Sequence, residues 1–197
     1  MDYSNYKTKT NLILPFNGTW IVGNGGRNPE KNNHLNADGT GPQDQTFAYD
    51  FIKSHKDNGR NLEDYEAFGS EVIAPAGGVV CNVINNCIDV AIGERDEEVI
   101  TGNRIVINHG NGEWSVLCHF KYNSILVKEG DVVKQGDVLG LCGNTGNTSE
   151  PHIHYHLQDD AVIMKANGLP AQFAKILIDG EEKENIEPDG DQKVSNL

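Results

Sequence analysis

Basic residues are scarce in this sequence: 16 lysines and arginines stand against 29 aspartates and glutamates, for a net charge of −13. A chain this acidic is a poor electrostatic partner for phosphate backbones and anionic membranes, so nucleic-acid binding is not expected. No apolar run reaches 18 residues, so no membrane span is expected either. The opening stretch, Met-Asp-Tyr-Ser-Asn-Tyr, has no basic segment followed by an apolar one. No signal peptide is therefore read, and a cytoplasmic location is the expectation. The four cysteines (Cys81, Cys87, Cys118 and Cys142) form no Cys-x-x-Cys pair, which argues against a zinc ribbon and for buried, reduced thiols. Long repeats, low-complexity linkers and strongly amphipathic helices are also missing.

What is present reads as strands and turns. Leu12–Phe16 and Thr19–Val22 flank Asn17-Gly18, which predicts a hairpin. Residues 23–42 are rich in Asn and Gly and read as a loop. Thr46–Ile52 is a strand, and Lys53–Gly69 a polar insertion with a short helical turn near Leu62–Phe68. Three β units follow. Val72–Pro75 leads through Gly77-Gly78 to Val79–Ile84, Asn103–Asn108 leads through Gly110-Asn111-Gly112 to Trp114–Phe120, and Ile125–Val127 leads into the Gly-Asp-Val turns of Gly130–Gly140. Phe173–Gly180 is a further strand. Residues 181–197 carry six carboxylates and few apolar groups, and are read as a terminal strand that frays into a solvated tail. The whole chain, 1–197, is read as one all-β domain of antiparallel sheets.

The chemistry-bearing feature is Pro151-His152-Ile153-His154-Tyr155-His156-Leu157. In a strand, alternate side chains share a face, so His152, His154 and His156 line up about 7 Å apart. Neutral imidazole both binds zinc and accepts protons near neutral pH. A histidine-rich solvent face is the bland alternative. His34, His119 and Asp50, which sits in Phe47-Ala48-Tyr49-Asp50-Phe51, offer further ligands from distant segments. A His-Glu-x-x-His helix is absent, so any zinc site must be assembled from strands and loops. Cys118 adjoins His119, and strand alternation would send its side chain to the opposite face.

In its motifs the chain resembles the lysostaphin-type zinc metallopeptidases, the glycyl-glycine and DD-endopeptidases that cut peptidoglycan peptides. The resemblance spans roughly residues 34–158. It rests on Gly143-Asn144-Thr145-Gly146-Asn147-Thr148-Ser149-Glu150 running into Pro151-His152-Ile153-His154-Tyr155-His156. Leu117-Cys118-His119-Phe120 followed by Gly130-Asp131-Val132-Val133-Lys134-Gln135-Gly136 adds to it, as does Gly69-Ser70-Glu71-Val72-Ile73-Ala74-Pro75-Ala76-Gly77-Gly78-Val79-Val80, read as a hairpin. The resemblance implies an all-β fold related to the barrel-sandwich hybrid, with a groove-borne metal site. It implies Zn2+ on His34, Asp50 and His154, with His119 and His152 as the catalytic imidazoles. A peptide or peptidoglycan-derived substrate follows. Such a site would activate a water and polarise a carbonyl, with one histidine taking the proton and the other stabilising the oxyanion; the sequence leaves the division of roles open.

Some features depart from the family pattern. His34 and Asp50 are 16 positions apart where many relatives have four, and Asp38 lies four after His34. Asp50 is preferred because it sits on a strand ahead of the Val-x-Ala-Pro segment. His156 stands where glutamate or glutamine is usual, and is expected to orient a neighbour. His109 reads as structural and His55 as solvated. Two other functions compete with the peptidase reading: a catalytically silent binding or activating module of the same fold, and a lipoyl- or biotinyl-type carrier suggested by Gly130–Gly140. The carrier reading lacks a lysine at a suitable hairpin tip. Wall hydrolysis by a cytoplasmic chain would require an unusual release route.

Overall fold

The computed structural model describes residue 3 and residues 5–35 and 42–197. Thirteen strands follow one another along them: β1 (Trp20–Asn24), β2 (Tyr49–Ile52), β3 (Glu71–Ile73), β4 (Gly78–Ile84), β5 (Asn103–Asn108), β6 (Trp114–Phe120) and β7 (Val132–Val133), then β8 (Val138–Leu141), β9 (Ile153–Gln158), β10 (Gly168–Leu169), β11 (Phe173–Ile178), β12 (Glu181–Ile186) and β13 (Lys193–Asn196). The only helical element among the described residues is a 3-10 turn at Leu62–Asp64, inside the polar insertion where a helical turn is expected. No helix of the described residues is long and apolar enough to cross a membrane.

Eleven strands form one antiparallel sheet in the order β12-β11-β13-β1-β2-β9-β6-β5-β4-β7, with β10 added to β9, while β3 and β8 pair separately. The fold is therefore all-β, as the alternating pattern and turn residues predict. The β5–β6 hairpin forms around Gly110-Asn111-Gly112 as expected, with Asn108 opposite Trp114. The core lies on the face carrying Phe51, Tyr155, Ile105, Ile107 and Leu117, closed by Leu12, Leu14, Phe16, Trp20 and Phe173, all at 0–1% exposure. Phe16 packs on both Trp20 and Phe51 at ring-centroid distances of 4.9 Å. Each such aromatic contributes roughly 1.5–3 kcal/mol by leaving water.

Three expectations are corrected. The Asn17-Gly18 turn exists, with Gly18 at φ +74°, but no hairpin flanks it. Trp20 pairs with Val194 and Leu12 bridges Phe173. The apolar side chains on either side of the turn bury against distant strands, and that burial outweighs the local signal. Similarly, β3 pairs with β8 and not with β4, which follows it through Gly77-Gly78. The acidic terminal segment, finally, is not a solvated tail. An Asp179-Gly180 turn, with both residues at positive φ, folds β12 back on β11. β13 then inserts between β11 and β1 with Val194 fully buried. Only β12, Glu-Glu-Lys-Glu-Asn-Ile, is exposed over five of its six residues, with Ile186 packed on the core, and it forms a charged edge strand that discourages further pairing.

The candidate metal centre

The site is set by the register of β9 between β2 and β6. His154 lies directly opposite Asp50 on β2 and opposite Cys118 on β6. Asp50 Oδ1 is 2.9 Å from His154 Nδ1, and Asp50 Oδ2 is 3.1 Å from His34 Nε2. His34 arrives on the Asn-rich loop after β1. Its backbone N–H donates to Asn32 Oδ1, and Asn32 is itself bolted by donating to the carbonyls of Gly26 and Thr46. Asn24, the register partner of Asp50, donates to Asp50 Oδ2 at 2.9 Å and accepts from the Asn33 N–H with its side-chain oxygen. The loop that presents His34 and the strand that presents Asp50 are thus tied through one asparagine.

His152 and His119 flank this trio. His152 Nδ1 donates to the Glu150 carbonyl at 2.8 Å and lies 3.1 Å from Thr148 Oγ1, which leaves Nε2 turned towards Asp50 at 3.4 Å. His119 Nδ1 donates to the Thr145 carbonyl at 2.7 Å, and its ring centroid is 4.7 Å from that of His152. Strand alternation would send His119 and Cys118 to opposite faces, yet both line the groove. The reason is a bulge. Arg104 pairs with Cys118 and Asn103 with Phe120, so His119 is the extra residue, and its φ is +65°. Gly102, at φ +54°, makes room for this turn: a Cβ there would run into the Thr145 carbonyl that anchors His119.

Burial favours neutral groups here, and the pairing of charges modifies it. Burial alone would raise the Asp50 pKa, but the neighbouring His152 and His34 hold the carboxyl well below its usual range. Burial and the repulsion of His152 and His154 push His119 well below the ordinary imidazole value. His154 is also lowered by burial, against the pull of Asp50. For His152 the burial effect is outweighed by the Asp50 carboxylate, and its pKa rises. His156 is pushed down to about 3, chiefly by burial. The Cys118 thiol is pushed up to about 12 by burial, so it is no nucleophile although it shares the groove with His119.

Two overlapping clusters bring donor atoms together, His34 with Asp50 and His154, and His119 with His152 and His154, each within 4.8 Å. The first suits a divalent metal on its own geometry. The 2.9 and 3.1 Å separations about Asp50 approach the roughly 3.3 Å between ligand atoms on a tetrahedral ion with bonds of about 2.0–2.1 Å. His34 Nε2 is also buried without a hydrogen-bond partner, a costly arrangement unless an ion takes the lone pair. Two imidazoles and one carboxylate form a set that zinc favours. Asp38 lies outside the described residues.

His156 lies on the same face of β9 but behind His154, outside the trio around Asp50. His109 is a structural clip, between the Gly77 carbonyl at 2.8 Å and Ser115 Oγ at 2.7 Å. His55 packs against Tyr65 in the exposed insertion. Asn103 bolts the Cys87 backbone and the Phe120 carbonyl, and Tyr155 is core. The reading of the sequence missed Asn24, Asn32, Thr145, Thr148 and Gln158. Asn24 and Asn32 sit in a stretch whose Asn and Gly content signals only a loop. The groove around the centre is about 450 Å³, with Gln45, Arg95, Ile100, Asn147 and Ser149 on its walls.

Residues 59–166 match the model of peptidase family M23. That stretch contains His119, His152 and His154, but neither His34 nor Asp50. Among curated proteins, the chain is 46% identical over 56 residues to the peptidoglycan DD-endopeptidase ShyA of Vibrio cholerae serotype O1, covering 28% of this chain and 13% of that protein. It is 26% identical over 129 residues to ShyC, another peptidoglycan DD-endopeptidase of the same organism, covering 66% of this chain and 28% of the relative. The chain thus spans less than a third of the length of these relatives. Among solved structures, the catalytic domain of the prophage-encoded M23 protein EnpA from Enterococcus faecalis, an A109H mutant, superposes with a TM-score of 0.51. The match has 20% identity and covers 80% of this chain and 93% of that one, a likeness of fold. With a matched stretch longer than half the chain, the protein belongs to peptidase family M23, the lysostaphin-type zinc metallopeptidases.

Proposed function

We propose that this protein is a zinc-dependent endopeptidase that hydrolyses peptide bonds in peptidoglycan-type peptides. One observation carries the reading: the His34, Asp50 and His154 cluster opens onto the same groove as two imidazoles, His119 and His152, whose Nδ1 atoms are engaged by main-chain carbonyls. The names of the relatives, which are peptidoglycan DD-endopeptidases, support the substrate class.

In this reading His34, His154 and Asp50 would hold the ion, through His34 Nε2, His154 Nδ1 and a carboxylate oxygen. Bound there, the ion would supply Lewis acidity towards the scissile carbonyl and the attacking water. Because Nδ1 of His152 donates to the Glu150 carbonyl, its Nε2 presents a lone pair beside Asp50 and takes the proton from the water. The same proton is then available for the leaving amine. His119 is held in the same tautomer by Thr145 and aligns the water from the other side. The open groove, walled by amide side chains, admits an extended peptide.

Cross-linked muropeptide dimers and glycine-bridged peptides, incubated with the purified protein and analysed by mass spectrometry, test this reading. Cleavage should stop on chelation and return with zinc. His154→Ala should lose both zinc and cleavage, whereas His152→Ala should keep zinc and lose about 10²–10⁴ in rate. Stoichiometric zinc without turnover on any of these peptides would overturn the enzyme reading in favour of a binding module, and cleavage unaffected by chelation would overturn the zinc assignment.

A further inference from the structure

The histidines of the groove are wired in two opposite senses. His119 and His152 each donate from Nδ1 to a main-chain carbonyl, so their Nε2 atoms carry the lone pair in the neutral ring. His154 faces Asp50 through Nδ1 instead, and its Nε2 is 3.0 Å from His156 Nδ1. His156 Nε2 is 3.0 Å from Gln158 Oε1, and Gln158 Nε2 donates to the Asp160 carbonyl at 2.7 Å. His154, His156 and Gln158 are each 0–5% exposed, so these contacts have no water to replace them.

The donor and acceptor roles in this chain follow from its end. A main-chain carbonyl can only accept, so the amide end of Gln158 must face Asp160 and its oxygen must face His156. His156 Nε2 then has to carry the hydrogen. In a neutral imidazole only one nitrogen does, so His156 Nδ1 is an acceptor, and the atom facing it, His154 Nε2, must donate. The lone pair of His154 is left on Nδ1, 2.9 Å from an Asp50 carboxylate that can itself only accept, so the two acceptors face one another as they would across a shared cation. A carboxylate at position 156 could accept from Nε2–H without help. An imidazole there can do so only if its own tautomer is set, and Gln158 sets it.

We propose that Gln158 and His156 are positioning residues that fix His154 as the Nε2–H tautomer, through a hydrogen-bond chain anchored on the Asp160 carbonyl, and thereby hold its Nδ1 lone pair on the metal site. The proposal rests on the metal-site reading above. It adds two residues that touch neither metal nor substrate, and it gives His154 and His156 of β9 the opposite tautomer to His152, which immediately precedes the strand. Outer partners of this kind fix ligand orientation, and their loss weakens metal binding by about 10–100-fold.

The test begins with the unmutated, zinc-loaded protein: long-range ¹H–¹⁵N correlation spectra of its imidazoles at pH 8. His154 and His156 should both appear as Nε2–H tautomers, and His119 and His152 as Nδ1–H. A His154 or a His156 found as the Nδ1–H tautomer overturns the proposal with no variant required. Zinc affinity by competition with a fluorescent chelator is the second readout. Gln158→Met should mix the His156 and His154 tautomers and weaken zinc about 10–100-fold, while His156→Leu should do at least as much. His156→Gln, whose amide oxygen can accept from His154 Nε2–H, should restore most of the affinity. Equal zinc affinity in all four proteins would also overturn it. These outcomes are separable from failure of the peptidase reading, because a protein that binds zinc with this pattern yet cleaves nothing leaves the relay standing and removes only the enzyme.

Discussion

Asp50 and His154 are register partners on neighbouring strands although 104 positions separate them, and the carboxylate oxygen stands 2.9 Å from the ring nitrogen. Such a contact is fixed by the sheet and not by a flexible loop, so it persists only while β2 and β9 keep their register. It also makes Asp50 the pivot of the site, in reach of His34, His152 and His154 together.

Removing the charge at this pivot should therefore do more than remove an outer partner. Asp50→Asn is expected to weaken zinc by more than the roughly 10–100-fold that loss of an outer-shell group costs. Asp38→Ala should leave zinc content unchanged. Metal analysis of the two purified variants decides between the carboxylates, and zinc lost from the Asp38 variant but kept by the Asp50 one would reverse the assignment.

Gly102 offers a route to the His119 position without touching the imidazole. Its φ of +54° disfavours a side chain by about 1–2 kcal/mol, and a Cβ would also press on the Thr145 carbonyl. Gly102→Ala is expected to shift that carbonyl, loosen His119 Nδ1 and lower the turnover rate while zinc content stays at the unmutated level. An unchanged rate in a folded, zinc-loaded Gly102→Ala protein would sink the idea that Thr145 positions His119.

Glu113 makes a separate, pH-dependent clasp. Its buried carboxylate accepts from Tyr6 Oη at 2.7 Å, Lys9 N at 2.7 Å, and Thr10 N and Oγ1 at 2.8 and 2.5 Å. Burial would raise its pKa, but these donors lower it overall. A carboxylate depressed by folding stabilises the protein above its unfolded pKa of about 4.3, and that contribution is lost as the pH falls through the folded value. Acidification through the depressed folded value should thus release residues 6–10, and Glu113→Gln should release them at pH 7, at a cost of about 1–3 kcal/mol. Amide hydrogen exchange of this segment measures both; equal protection in the variant would show that the clasp is idle.

The fold was legible where neighbours in sequence are neighbours in space. The β5–β6 hairpin and the Phe173 strand follow from local alternation and turn residues. The acidic end was misread for the opposite reason. Its charges belong to an exposed edge strand, and the burial of Val194 depends on β11 and β1, which no local pattern announces. The Asp179-Gly180 pair was the available signal for that hairpin. At the site, the face shared by His152, His154 and His156 follows from the period of a strand. The same rule fails at Cys118, expected on the face opposite His119, because one extra residue in the ladder puts both side chains in the groove.

The sequence by itself determined the all-β class and the histidine face of β9, because both depend on a two-residue period that any extended chain obeys. Tertiary structure alone decided which carboxylate meets His154, which carbonyls set the tautomers of His119 and His152, and how Gln158 reaches back to the site through His156. Those contacts depend on the mutual register of strands and on loops up to a hundred residues apart. Register is settled by the packing of the whole sheet and has no local code.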